Sequence, residues 1–131
     1  MNNWLSEGFA ALLVAGGGAV GAVARYGISR VMTLGMPRSI EEFPWHTAFI
    51  NMLGSMLLGY LAVTIKQHPQ PHGWLLLGTG FCGAFTTFST FSLETMILIE
   101  RGRWASAAGY SLGSVLLGVV IVAIMLKVYR S

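Results

Sequence analysis

Charged residues are scarce in this sequence. Only 10% of its 131 residues are Asp, Glu, Lys or Arg, whereas about a quarter of a soluble globular domain is charged. Hydrophobic residues make up 54%. This composition excludes an ordinary soluble domain and indicates an integral membrane protein.

Cysteine is almost absent as well, since Cys82 is the only one. A single cysteine excludes an intrachain disulfide and a cysteine-rich metal site, so we interpret it as a small packing residue. Runs of basic residues are also missing, because Lys and Arg stand singly at the ends of apolar stretches, where they reach the lipid headgroups. The net charge of +3 therefore does not indicate a nucleic-acid partner. The sequence offers no Ser/His/Asp set, metal cluster or phosphate loop, and we expect no enzyme.

Four stretches contain no charged residue. Each is 17 to 23 residues long, which is the length a helix needs to cross a bilayer. They leave little chain for another module, so we predict an all-α membrane protein with one four-helix transmembrane domain over residues 1–131. The N-terminus lacks the basic start of a secretory signal, and we expect the first helix, from about Leu5 to Val31, to be retained. The stretches are 8–24, 48–65, 73–93 and 104–126.

The third stretch mixes residue types that do not suit a helix in lipid. From Gly78 to Glu94 it reads GTGFCGAFTTFSTFSLE, with hydroxyl side chains threaded between phenylalanines. Glycines, hydroxyls and β-branched threonines loosen a helix and free backbone groups. At membrane depth, freed backbone is tolerated only inside protein or beside water. We therefore predict a broken third helix that lines a polar path, with Phe88 and Phe91 sharing a face.

Two other helices carry polar stripes with a four-residue spacing. Asn51 in the second helix either bonds helices together or offers its NH₂ group to an anion, and the sequence leaves both interpretations open. Tyr110 in the fourth helix lies about two turns from its start, which suits a residue lining the path. The stripes are Thr47, Asn51, Ser55 and Gly59 in the second helix, and Tyr110, Ser114 and Gly118 in the fourth.

Two charged residues stand at the ends of membrane-length stretches. Arg25 is either an anion attractor at a pore mouth or a paired or snorkelling arginine, and we favour the structural role. Glu94 is a candidate functional carboxylate, although its position equally favours helix pairing. His68 and His72 lie in the 66–73 loop without a third ligand nearby, so we expect a solvated loop there rather than a metal site.

The basic residues predict no single orientation in the membrane. One side carries three Lys or Arg and the other four or five, depending on whether Arg25 is counted. The positive-inside rule needs a clear excess, so the chain can insert both ways and form an antiparallel dimer. Four short helices hardly enclose a pathway, whereas two copies can. We expect close contacts in this assembly from two pairs with small-xxx-small spacing, Gly17 with Gly21 and Gly109 with Gly113.

Three segments together resemble a known family. GGAVGAVARYG in the first helix, TAFINMLGS in the second and GFCGAFTTFSTFSLE in the third are similar to signatures of the Fluc-type fluoride channels, the CrcB family. The resemblance covers nearly the whole chain, and the third segment is highly specific. It implies a dual-topology antiparallel homodimer in a bacterial inner membrane, with two pathways for passive fluoride export.

The resemblance also implies roles for single residues. Phe88 and Phe91 resemble two pore phenylalanines that contact fluoride with their ring edges, and Asn51 resembles a pore donor. Four hydroxyl residues resemble positions of a polar track beside them. These are Ser89, Thr90, Tyr110 and Ser114.

The family also holds a structural sodium ion on backbone carbonyls at the break. The matching positions here are Gly83 and Thr86, contributed by both subunits. Two residues depart from the family's pattern: His46 stands where a small residue is expected, and Gly118 stands where some relatives carry a further hydroxyl.

Fluoride is strongly hydrated and only accepts hydrogen bonds. A pathway must therefore replace its water with hydrogen-bond donors that still let the ion leave.

Two other functions remain open on the residues alone. A proton-coupled small multidrug-type transporter also has four helices and dual topology, but it should carry a carboxylate midway along the first helix, and residues 8–24 contain none. A non-transporting scaffold would explain the glycines but not the polar stripes.

Overall fold

The structure is built from helices that cross the molecule side by side. A computed structural model describes residues 3–36, 43–67 and 71–128 of the chain. Four helical spans in this part are long and apolar enough to cross a membrane, which confirms the predicted all-α, multi-pass class. They are α1 (Asn3–Gly35), α2 (Trp45–Gln67), an interrupted third span within Pro71–Glu100, and α5 (Trp104–Val128).

The third span is broken in its middle, as predicted. Its first half, α3, is continuous up to Phe85, and its second half, α4, is Phe88–Glu100. Between the halves, Thr86 has φ and ψ of −81° and 160°, and Thr87 has −148° and 121°. Both pairs of angles are extended rather than helical. The pieces of α3 are Pro71–Gly73, Trp74–Cys82 and Gly83–Phe85.

The middle piece of α3, Trp74–Cys82, is a π-helix. Its backbone bonds run five residues back instead of four, which widens the turn. Gly78 and Gly80 lie within this piece, and glycine lowers the stability of an α-helix at such positions. The loosening that the sequence predicts therefore begins well before the break itself.

Glycines bring α1 into backbone contact with α3. A Cβ atom on Gly17 would overlap the carbonyl of Leu76, and one on Gly21 would overlap the carbonyl of Phe81. Gly80 on α3 completes the contact, since a Cβ there would stand 2.7 Å from a carbonyl oxygen of α1. The small-xxx-small pair thus joins two backbones as predicted, but its partner belongs to the same chain rather than to another subunit.

The second packing unit joins α2, α4 and α5. Its buried core lies near one end of the bundle and includes Ala48, Leu98 and Tyr110, which is 1% exposed. A tight turn after α4 folds α5 back along it, and Gly102 in that turn has φ of 71°, a conformation that favours glycine. This unit brings polar residues of α2, α4 and α5 together.

Several predicted boundaries differ from the structure. α1 extends beyond the predicted limits to Asn3–Gly35, since no proline interrupts it. The predicted 66–73 loop is wrong at both ends, because α2 continues to Gln67 and a helical turn begins at Pro71, where proline is tolerated. His72 therefore lies in a helical turn, and His68 lies outside the described residues.

Candidate functional site

The break in the third span opens into a groove of about 540 Å³. α2, α3, α4 and α5 all contribute to its walls, and none of the described residues that line it is charged. The groove is open along one side, which fits the expectation that four helices alone do not enclose a pathway. Six of the residues to which the family resemblance assigns a role line it: Asn51, Gly83, Thr86, Phe88, Phe91 and Ser114.

Asn51 joins α2 to the break through both atoms of its amide group. Its Nδ2 donates to the Thr87 carbonyl at 3.1 Å, and its Oδ1 accepts from the Thr87 backbone N–H at 2.8 Å. The second bond replaces the helical acceptor that the Thr87 N–H lost when the helix was interrupted. Of the two interpretations of Asn51, helix bonding is confirmed, and one N–H of its NH₂ group remains for another acceptor.

The break redirects backbone donors away from two carbonyls. In an unbroken helix the Thr87 N–H would bond to Gly83, and the Thr90 N–H would bond to Thr86. Here the first donates to Asn51, and the second donates at 3.2 Å to the Thr87 hydroxyl, which caps α4. The carbonyls of Gly83 and Thr86 thus lose their helical donors beside the groove.

Arg25 supplies a donor to a third carbonyl at the break. Its Nε donates to the Ala84 oxygen at 3.2 Å, and the side chain is half-buried between α1 and α3. In a continuous helix Ala84 would receive the N–H of Phe88. The favoured structural role of Arg25 is confirmed by this bond, and its role as an anion attractor stays a prediction.

Phe88 and Phe91 lie on one face of α4, as predicted. Their ring centroids are 6.0 Å apart with an interplanar angle of 37°. Phe88 is 80% exposed, whereas Phe91 is half-buried and its ring centroid lies 4.9 Å from that of Tyr110. One ring is therefore anchored within the chain, and the other projects from it.

The four predicted track hydroxyls are not all in the groove. Ser114 lines it, whereas Ser89 is exposed at the start of α4. Thr90 accepts a bond from the Thr87 hydroxyl at 3.0 Å, next to the break. Tyr110 is buried, and its hydroxyl group donates a hydrogen bond to a carboxylate. A continuous track within this one chain is thus not formed by these four residues alone.

A cluster around Glu94 joins α2, α4 and α5. The Thr47 hydroxyl donates to Oε1 at 2.8 Å, and the Tyr110 hydroxyl donates to Oε2 at 2.7 Å. His46 adds its Nε2 at 3.4 Å from Oε1. We call Glu94, Thr47, Tyr110 and His46 the Glu94 cluster. Glu94 therefore pairs helices, one of the two roles that its position favours.

The family of the chain follows from comparison with known proteins. A family model described as "CrcB-like protein, Camphor Resistance (CrcB)" matches residues 12–126. The chain belongs to the CrcB family. The match spans all four membrane helices of this CrcB chain, including the break and the Glu94 cluster.

Similar proteins carry the name fluoride-specific ion channel FluC. The one from Erythrobacter litoralis is 52% identical over 116 residues, which cover 85% of this CrcB chain and 85% of the relative. The one from Nitrobacter winogradskyi is 49% identical over 112 residues, with coverages of 82% and 85%. The one from Granulibacter bethesdensis is 43% identical over 122 residues, with coverages of 92% and 94%. Their names describe channels rather than enzymes, in agreement with the prediction that this chain is not an enzyme.

Sequence reasoning missed two features of this CrcB chain. It did not pair His46 or Thr47 with Glu94, although Thr47 and Glu94 were both singled out separately. It also did not predict that Asn51 and Arg25 form hydrogen bonds with backbone atoms at the break. One signal was available: a break frees several backbone groups at membrane depth, and nearby polar side chains are then the expected partners.

Proposed function

We propose that this chain is a fluoride-selective channel that lets fluoride leave the bacterial cytoplasm passively across the inner membrane. The observation that carries the proposal is the uncharged groove at the break, where Asn51, Phe88 and Phe91 meet. Relatives named as fluoride-specific channels are about half identical to the chain over most of its length. No covalent step is involved.

The chemistry of the groove suits a small, strongly hydrated anion. Fluoride accepts hydrogen bonds, and Asn51 keeps one N–H beyond the bond it gives to Thr87. The edges of the phenylalanine rings carry partial positive charge and add weak contacts. Because no Lys or Arg side chain lines the groove, a bound ion is released again, as conduction requires.

Two inverted copies of the chain form the conducting unit in this proposal. The groove is open along one side, and Phe88 projects from it, 80% exposed. A Cβ atom on Gly109 or Gly113 would meet no described residue within 4 Å, so this close-packing pair is available to a second copy. The nearly even distribution of basic residues allows the antiparallel arrangement.

The carbonyls of Gly83 and Thr86 fit the structural sodium ion that we propose at the centre of the dimer. Both have lost their helical donors, and both residues line the groove. Hard cations prefer oxygen ligands, and carbonyl oxygens without donors are costly at membrane depth. A sodium ion would supply positive charge that satisfies these oxygens and fixes the two breaks against each other.

Hydroxyl residues beside the rings complete the proposed track. Ser114 lines the groove directly, and Ser89 and Thr90 lie at the start of α4 next to it. Tyr110 contributes only if its hydroxyl exchanges the bond that it makes to Glu94. The described residues do not favour the transporter alternative, because the carboxylate of α1, Glu7, lies near the start of that helix rather than midway along it, and Glu94 lies on α4.

Ion release from liposomes tests the proposal. Purified protein in vesicles loaded with potassium fluoride should release fluoride when valinomycin is added, as followed with a fluoride electrode. Matched vesicles loaded with potassium chloride should retain their chloride, and protein-free vesicles give the background. Equal release of both anions, or release of neither, would contradict the proposed function.

A further inference from the structure

The Glu94 cluster places a carboxylate next to the proposed pathway. Phe91 lines the groove, its ring lies 4.9 Å from that of Tyr110, and the Tyr110 hydroxyl is bonded to Glu94 at 2.7 Å. The Glu94 side chain is only 17% exposed, so water screens its charge poorly. An ionised Glu94 therefore repels an anion that passes Phe91, and this repulsion is long-ranged in a medium of low polarity.

His46 is placed to cancel that charge. Its Nε2 lies 3.4 Å from Oε1 of Glu94, and its side chain is 34% exposed, so it can exchange protons with water. Imidazole is the side chain that ordinarily changes its charge between about pH 5 and 8. With a protonated imidazole the pair is neutral overall, and with a neutral imidazole it carries one negative charge.

The other ionisable groups that the structure describes at this end of the bundle are not imidazoles. Around His46, α4 contributes Glu94 and α5 contributes the Tyr110 phenol, which is bonded to the same carboxylate. Glu100 ends α4, and Arg101 and Arg103 lie in the turn that joins α4 to α5. Among these described groups, His46 carries the imidazole, the side-chain type that ordinarily changes its charge in this range.

We propose that His46 binds a proton and thereby sets the charge beside the anion pathway, so that permeation speeds up as the pH falls through the imidazole range. The inference rests on the proposed function as a fluoride channel. His46 acts through Glu94 and does not contact the ion. It therefore changes the net charge beside the pathway rather than serving as a ligand of fluoride. A channel built this way conducts faster when protons are abundant.

The pH dependence of fluoride release tests this inference. Wild-type protein in vesicles with equal pH inside and outside is compared between about pH 5.5 and 8, and the leak of protein-free vesicles is subtracted at each pH. The initial rate should rise about three- to tenfold towards low pH. The step should lie in the range where imidazole titrates.

Three variants identify the group responsible. H46Q should remain at the slow rate throughout, because it cannot be protonated. H46R should remain at the fast rate throughout, because its charge is permanent, and either variant alone is sufficient if the other fails to assemble. H72Q is the matched control, because His72 lies at the start of α3 with its ring against Phe9, and it should keep the wild-type step.

The outcomes separate this inference from the function on which it rests. Fluoride-selective release with the same rate at every pH would overturn the role of His46 and leave the channel intact. The same step in H46Q as in wild type, or its loss in H72Q, would also overturn it. Absence of fluoride release at every pH would instead contradict the proposed function, and the inference with it.

Discussion

Two glycine pairs with the same spacing lie in opposite surroundings. Gly17 and Gly21 are buried in the contact between α1 and α3, where an added Cβ atom would overlap backbone carbonyls. Gly109 and Gly113 lie on α5, and an added Cβ atom would meet no described residue within 4 Å. A spacing of four residues permits close approach of two helices in both cases. It does not say whether the partner is in the same chain.

The two pore-candidate phenylalanines repeat this contrast. Phe91 packs against Tyr110 within the chain, whereas Phe88 is 80% exposed. The buried glycine pair and Phe91 stabilise the single chain. The open glycine pair and Phe88 are instead available to the second copy that we propose. Substitutions in the first class should therefore impair folding, and those in the second class should impair assembly or permeation.

The largest expected effect is that of Gly21→Val. The added side chain would overlap the Phe81 carbonyl, and backbone cannot move aside as a side chain can, so the cost should exceed about 3 kcal/mol. We expect little or no folded protein, measured as monodisperse yield and resistance to unfolding by SDS. Gly16→Val is the control, since Gly16 is exposed on the same helix with no described neighbour within 4 Å of a Cβ atom. Equal behaviour of both variants would remove the contrast between packed and open glycines.

An intermediate effect is expected for Gly113→Leu. The chain itself should fold normally, because the new side chain meets nothing within it and leucine is a better helix former than glycine. Dimerisation should weaken at least about tenfold, because a bulky residue prevents close helix approach. Dilution in lipid vesicles followed by fluorescence energy transfer measures this, with Gly8→Leu at the open end of α1 as control. Unchanged dimerisation would show that the open pair does not serve a second copy.

The smallest effects on stability are expected for the two phenylalanines. Phe88→Ile should leave resistance to SDS unchanged, whereas Phe91→Ile should cost about 1 kcal/mol through the lost ring contact with Tyr110. Fluoride release should fall about fivefold or more in both variants, because isoleucine has no ring edge to offer an anion. Phe49→Ile, on the opposite side of α2 in a separate apolar pocket, should keep wild-type release. Wild-type rates in both pore variants would assign the rings to packing.

Much of the architecture was predictable from the sequence because it depends on composition and local chemistry. Four uncharged stretches predict four spans, and the hydroxyls and glycines between Gly78 and Glu94 predict the break. The extension of α1 to Gly35 was missed because a helix continues past an apolar window when no breaker stops it. The face shared by Phe88 and Phe91 follows from helical periodicity alone.

The partners of the polar residues were not predictable in the same way. Asn51 binds the Thr87 backbone, Arg25 binds the Ala84 carbonyl, and His46 lies beside Glu94. The two residues of each pair lie 36 to 59 positions apart along the chain, so no local pattern connects them. Their residue types indicate polar contacts, and only the crossing of the helices selects which contact is made.

The sequence by itself determined that the chain is an all-α membrane protein with an interrupted third span, since hydropathy and helix propensity are properties of neighbouring residues. The tertiary structure alone decided which glycine pair is buried, which carbonyls lose their donors and which groups surround Glu94. The physical reason is that membrane-buried backbone and charge must find partners wherever the packed helices bring them, and that geometry is set by the whole bundle.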